Sequence, residues 1–157
     1  MKLNEPSGLS RRRFLAAAGG CALIAGCEVA EVRTAGGADV TNFSFDISAS
    51  DFEALKAVGG MVPYNAGEKQ LLLIRANADE VVALDRICPH LQCPMTPGVG
   101  EWLESSQTLK CNCHSSQFRA DGTYVEGSVN DGTSVSNLGA YATTFDPTSG
   151  KGEVNLG

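Results

Sequence analysis

Residues 88–93 read CPHLQC and residues 111–118 read CNCHSSQF. These two stretches hold both histidines of the chain, His90 and His114, and four of its six cysteines, Cys88, Cys93, Cys111 and Cys113. Thiolates are soft ligands and imidazoles intermediate, so a mixed set selects zinc, copper or an iron–sulfur cluster. Each stretch offers one thiolate and one imidazole within a few residues: Cys88 with His90, and Cys111 with His114. Brought together, they make a Cys₂His₂ site. Cys93 and Cys113 remain, one in each stretch, and can cross-link the two in a compartment where disulfides persist. Closing a loop of about twenty residues in this way is worth roughly 3 kcal/mol. Structural zinc and an iron–sulfur cluster both suit such donors. Zinc sites more often use paired C-x₂₋₄-C knuckles, and the order C-x-H…C-x-x-H, with an extra Cys after each first ligand, is not that layout.

The flanks predict strands. FSFDI (43–47) alternates apolar and polar residues, and GGMVPYN, QLLLIRAN and EVVALDRI are short apolar or alternating runs divided by turn residues. NADE (77–80) is a hairpin turn, Asp121-Gly122 is a second, and LGAYATTFDPTSGKGEVNLG is a closing hairpin. Helical spacing occurs in SASDFEALKAVG (48–59), with Ser50 or Asp51 as N-cap; the alternative is a loop whose Leu55 and Val58 plug the core. The expectation is a small all-β domain from about residue 40 to 157, with two long loops carrying the Cys and His residues.

CPHLQC–x₁₇–CNCHSSQF resembles the Rieske iron–sulfur motif, C-x-H-x-G-C…C-x-C-H-x-S. LLLIRANADEVVALDRICPH and FRADGTYVEG resemble the strands that flank it in Rieske domains, so the resemblance covers about residues 43–146. It implies an all-β fold: a Rieske-type antiparallel β-sandwich of small sheets, with a two-loop cluster-binding subdomain at the tip. It implies a [2Fe-2S] cluster of Rieske type as cofactor. Position by position, Cys88 and Cys111 bind one iron by thiolate, and His90 and His114 bind the other at the exposed tip. Cys93 and Cys113 form a disulfide between the loops. Leu91 matches the apolar shield of the cluster, and Ser116 the serine that donates to a bridging sulfide. No residue receives a catalytic role. Replacing two of four thiolates by neutral imidazoles removes negative charge, which places Rieske potentials at roughly −150 to +300 mV. Hydrogen bonds to sulfur raise the potential further.

The sequence departs from that pattern in three places. Phe118 stands where high-potential, quinol-oxidising members carry a Tyr that donates to a ligand thiolate, which implies a potential below theirs. Gln92 and Ser115 each stand in a tight-turn position where Gly is common. SVNDGTSVSNLG (128–139) replaces a Pro-containing loop that packs over the cluster. Trp102 and Tyr64 read as core or rim aromatics, Met95 as apolar cover of the first loop, and Asp85 with Arg86 as a surface pair.

The front end differs from the rest. A polar start, Arg11, Arg12 and Arg13, and a thirteen-residue apolar run over residues 14–26 make an export signal. That run falls short of the about 20 residues a spanning helix needs. SRRRFL resembles the twin-arginine motif, which addresses already folded cargo for export. LIAGC resembles a bacterial lipobox, with Cys27 the lipidation candidate; ordinary cleavage and a retained signal are the alternatives. Cys21 is a small apolar residue of the signal. Residues 28–42 read as a flexible tether, jointed at Gly36-Gly37, and 43–157 as the Rieske domain. Residues 28–157 carry 8 basic and 17 acidic side chains, a net of −9, which excludes a nucleic-acid binder.

What the resemblance implies for function is one-electron transfer at the periplasm or the outer face of the cytoplasmic membrane, with a membrane tether. Electrons pass from quinol or a donor enzyme to a cytochrome c-like acceptor. The alternative is an obligate subunit of a larger oxidoreductase, either a cytochrome bc-type quinol oxidase with its cytochrome b or an arsenite-oxidase-like molybdopterin enzyme. A stand-alone Rieske oxygenase needs a second iron site of two His and a carboxylate, and both His are already used.

Overall fold

The structure is a computed structural model that describes residues 40–127 and 134–157, together with the backbone of residues 33–35. The export-signal reading of residues 1–27 and the Cys27 candidate lie outside the described residues. In chain order the elements are β1 (Arg33–Ala35), β2 (Asn42–Asp46), a 3₁₀ helix (Ser50–Lys56), β3 (Met61–Ala66), β4 (Lys69–Asn77) and β5 (Glu80–Asp85). They continue with β6 (Gly100–Leu103), β7 (Thr108–Cys111), β8 (Gln117–Arg119), β9 (Tyr124–Glu126), β10 (Ala140–Asp146) and β11 (Lys151–Asn155). A base sheet runs β1-β3-β4-β5-β10-β11-β2, and a four-stranded sheet runs β6-β7-β8-β9. Pairing is antiparallel except between β1 and β3, which are parallel. This is the all-β, small-sheet architecture expected.

The apolar runs of β4 and β5 are continuous because both faces of these strands are covered. Side chains alternate across a strand. Leu71, Leu73, Val81 and Ala83 therefore enter one core, shared with Phe45, Leu55, Val62 and Val154. Leu72, Ile74, Val82 and Leu84 enter the other, shared with Trp102, Leu109, Phe118, Cys88 and Cys111 of the smaller sheet and its loops. Fully burying each Leu or Ile is worth about 1.5–3 kcal/mol. The same two strands thus build the base and seat the two Cys- and His-bearing loops. Trp102 ties the sheets polarly as well: its buried Nε1 donates to the Ala76 carbonyl at 3.0 Å.

The turns follow their sequence signals. Asn77 Oδ1 accepts the Asp79 N–H at 2.9 Å, and Asp121 Oδ1 accepts the Thr123 N–H at 2.9 Å. Gly122 has φ 81°, and a Cβ there would stand 2.2 Å from the Leu138 carbonyl oxygen, so only Gly fits.

Two readings are corrected. The 48–59 segment forms a 3₁₀ helix whose N-cap is Ala49, with no side-chain capping bond, rather than Ser50 or Asp51. Phe52 and Leu55, three residues apart, eclipse on its buried side, whereas Val58 lies past its end and is 39% exposed. Within the segment read as a tether, residues 33–35 pair with β3 and Asn42 opens β2. The free edge of β3 supplies the unpaired backbone groups that recruit this stretch.

Candidate metal centre

The first loop leaves the end of β5, and the second joins β7 to β8. Both are built on one hydrogen-bonded frame. In the first, the Cys88 N–H donates to the Cys93 carbonyl and the Gln92 N–H donates to the Cys88 carbonyl, each at 2.9 Å. In the second, the Cys111 N–H donates to the Ser116 carbonyl and the Ser115 N–H to the Cys111 carbonyl, each at 2.8 Å. Closing such a turn forces the residue four past each Cys into the left-handed region: Gln92 has φ 57° and Ser115 φ 64°. These are the two positions where the family pattern has Gly. The side chains are accommodated at strained backbone angles, at a cost of roughly 1–2 kcal/mol each.

The frames bring the predicted residues together. Cys93 and Cys113 form a disulfide that joins the loops across a sequence separation of 20. Cys88 and Cys111 are free thiols, each 1% exposed. Their side chains are in hydrogen-bond contact, which holds Cys111 down, to about 6, and pushes Cys88 up. Burial raises both, against the backbone N–H groups aimed at them: that of His90 at Cys88, and those of Cys113 and His114 at Cys111. The shared hydrogen bond and the backbone donors win at Cys111, whereas at Cys88 the shared hydrogen bond and burial outweigh the backbone donor. The His90 and His114 rings meet edge to face with centroids 4.8 Å apart. His90 is buried and His114 exposed, so the pair spans from the interior to the surface. The sulfurs of Cys93, Cys111 and Cys113 also lie within 4.8 Å of one another. Two of these three are bonded to each other and present no thiolate, so this group is a disulfide set against one free thiol.

Ser116 is completely buried, and its hydroxyl has no hydrogen-bond partner of full geometry among the described residues. It lies close enough to Cys88 to favour that thiolate. A buried hydroxyl in this position fits an additional sulfur acceptor. With two buried thiols and two imidazoles, the residues present fit a [2Fe-2S] group. Met95 and Phe118, both 0% exposed, pack with Cys88 and Cys111 and keep water from that side. Leu91 is 52% exposed at the tip, in place to shield the site from outside.

Asp85 and Arg86 do not pair. Asp85 accepts the Tyr141 O–H at 2.7 Å and the Gly139 N–H at 3.0 Å. Arg86, buried, donates to Asn65 Oδ1 at 3.1 Å and Gln70 Oε1 at 2.7 Å. Their partners come from different strands: Tyr141 of β10 for Asp85, and Asn65 of β3 with Gln70 of β4 for Arg86. Asp85 thereby anchors the foot of the first loop to the base sheet.

Sequence reasoning passed over Gly127. A Cβ there would stand 2.5 Å from Ser116 Cα and 3.1 Å from the Ser115 carbonyl oxygen. The chain returning from β9 lies directly on the second loop, and the only available signal was a Gly at the end of VEG. Residues 128–133 of the departing loop lie outside the described residues. From Ser134 the chain returns over the smaller sheet, where the Leu138 N–H donates to the Gly122 carbonyl at 2.9 Å.

A family model described as Rieske [2Fe-2S] domain matches residues 47–137. The cytochrome b6-f complex iron-sulfur subunit, chloroplastic, of Chlamydomonas reinhardtii is 34% identical over 62 residues, which cover 39% of this chain and 28% of that protein. The chain thus spans under a third of the curated relatives it matches. The ferredoxin of carbazole 1,9a-dioxygenase from Nocardioides aromaticivorans IC177 superposes with a TM-score of 0.53 at 18% identity, covering 64% of this chain and 88% of that one. Dicamba monooxygenase bound to dicamba superposes at 0.58 and 20% identity, covering 77% of this chain and 36% of that one. These two likenesses are of fold.

Proposed function

The chain belongs to the Rieske [2Fe-2S] domain family and is an electron-transfer protein, and on that premise we propose that it is a tethered one-electron carrier of the bacterial cell envelope. Cys88 and Cys111 would hold one iron and His90 and His114 the other. Electrons arrive from quinol or a donor enzyme and leave to a cytochrome c-like acceptor. The observation that carries this reading is the graded burial of the four ligands: two thiols at 1% exposure, a buried His90 and an exposed His114.

When bound, the cluster would supply one-electron chemistry. The chain's part is to hold the thiolates with backbone N–H groups, to exclude water with Met95 and Phe118, and to present His114 to solvent. Phe118 packs against the thiols without a donor, which supports a potential below that of Tyr-bearing, quinol-oxidising members. SRRRFL and LIAGC support export and tethering, with residues 43–157 as the functional domain. Among the described residues, no helix is long and apolar enough to cross a membrane.

A second reading, an obligate subunit of a cytochrome bc-type or molybdopterin-containing oxidoreductase, is favoured by one observation: the Chlamydomonas relative is itself a complex subunit. An EPR-monitored redox titration of the purified full chain tests the chemistry. The expected result is a Rieske-type reduced signal whose potential falls as pH rises. Bound zinc in place of iron, with no signal, would overturn it. Solubilising membranes without denaturant then separates the two readings, since a carrier elutes alone and a subunit elutes with cytochrome b or molybdopterin.

A further inference from the structure

Three sulfurs crowd the base of the second loop. Of the two free thiols, Cys111 is the one grouped with the disulfide: its Sγ and those of Cys93 and Cys113 lie within 4.8 Å of one another. Each separation is therefore at most 4.8 Å, within reach of a side-chain rotation. The surroundings favour exchange in one direction. Cys93 is half-buried and Cys113 exposed, so a Cys113 thiolate leaves into water while the linkage between the loops persists.

We propose that in cluster-free protein Cys111 exchanges with this disulfide, and that the cluster protects Cys111 from doing so. The Cys111 thiolate attacks Cys93 Sγ; the Cys93–Cys113 bond breaks as a Cys93–Cys111 bond forms, and Cys113 departs as a thiolate that takes its proton from solvent. One disulfide is lost and one gained, so no oxidant or reductant is consumed. The product has lost a ligand thiol and cannot rebuild the site without a second exchange. Order of assembly follows: the cluster must enter before the disulfide closes, or the chain drains into a linkage that excludes it. An export signal of the kind that carries folded cargo suits that order. The exchange itself rests on geometry; its suppression by the cluster rests on the ligand reading above.

The test uses the full-length, cluster-loaded protein, half of it stripped of iron anaerobically with a chelator and no oxidant. Aliquots are acid-quenched over hours, the time range of uncatalysed disulfide rearrangement. Free thiols are blocked with N-ethylmaleimide in denaturant, and disulfides are then reduced and carbamidomethylated. Lys110 and Arg119 bound a tryptic peptide with both Cys111 and Cys113, and fragment ions show which of them carries maleimide. The expected result is maleimide moving from Cys111 to Cys113 in stripped protein, by at least tenfold over the loaded half. Cys111→Ser protein, purified without a cluster, lacks the thiol grouped with the disulfide and keeps Cys93 and Cys113 paired. Maleimide that stays on Cys111 throughout in stripped protein overturns the proposal. Equal movement in the loaded half, with its iron retained, leaves the exchange standing and removes Cys111 from the ligand set.

Discussion

The two loops share a backbone and differ in where it puts their side chains. Each closes a Cys N–H onto the carbonyl five residues on and returns an N–H from four residues on to the Cys carbonyl. The histidine sits two past the Cys in the first loop and three past it in the second. His90 is buried and His114 exposed. The frame therefore fixes the thiols but not exposure, since the slot two past the Cys is buried at His90 and exposed at Cys113. The anchors differ too. The foot of the first loop is held to the base sheet through Asp85, Tyr141 and Gly139. The second is held within its own sheet, by Gly127 lying on it and by the Asn112 N–H donating to the Val99 carbonyl at 2.8 Å.

The disulfide is the only covalent bond between the loops, so removing it gives the largest effect. Replacing both Cys93 and Cys113 by Ser should cost about 3 kcal/mol, from a closed loop whose ends are 20 residues apart. Thermal melts should show a fall of more than about 10 °C. A melt within about 2 °C of the parent would mean that packing of Met95 and Phe118 joins the loops unaided.

A change confined to one loop comes next. Gly127→Ala drives a methyl into Ser116 Cα and should cost about 1–3 kcal/mol. Hydrogen exchange should rise at the Ser115 and Cys111 amides and stay unchanged at Gln92 and Cys88. Equal loosening of both loops would show that the shared disulfide transmits strain, and that the anchors are less separate than their contacts suggest.

The site was far more legible than the topology. Chemistry dictates which donors a cluster needs, so Cys88, His90, Cys111 and His114 announce themselves by type and spacing. The strain was legible as well, because a non-Gly residue at a turn position that calls for Gly has few backbone choices, and Gln92 and Ser115 both take positive φ. Strand partners were not. Alternation says which face of β10 is the half-buried one, but not that β10 stands between β5 and β11, or that β11 pairs with β2 over a hundred residues earlier. Pairing at that separation depends on the whole sheet. The Asp85–Arg86 misreading has the same root: adjacent opposite charges suggest each other, while the real partners, Asn65, Gln70 and Tyr141, come from other strands.

The matched strain in the two frames makes a symmetric prediction. Gln92→Gly and Ser115→Gly each relieve a left-handed backbone, but each adds unfolded-state entropy. The net gain should be about 0.5–1 kcal/mol apiece, read as a rise in melting temperature, and the two should add because the frames share no hydrogen bond. A gain in one loop alone would locate a side-chain role for the other residue that its backbone does not reveal.

The smallest effect tests the anchor of the first loop through pH. Burial, reinforced by the hydrogen bond to Asp85, pushes the Tyr141 phenol up to about 12, from an ordinary 10.0. Its folded value is the higher one, so the stabilisation is fully present below pH 10, where the phenol is protonated in both states. It is lost between about pH 10 and 12, as the unfolded chain releases a proton that the folded chain keeps. Denaturant melts of the parent should therefore lose stability across that window relative to Tyr141→Phe, which has no proton to release. At neutral pH the variant should be slightly the weaker, because Asp85 loses one of its two donors while Gly139 remains. Parallel pH profiles for the two proteins would mean that Asp85 holds the loop through Gly139 alone. The first loop would then be anchored, like the second, by backbone rather than by side chain.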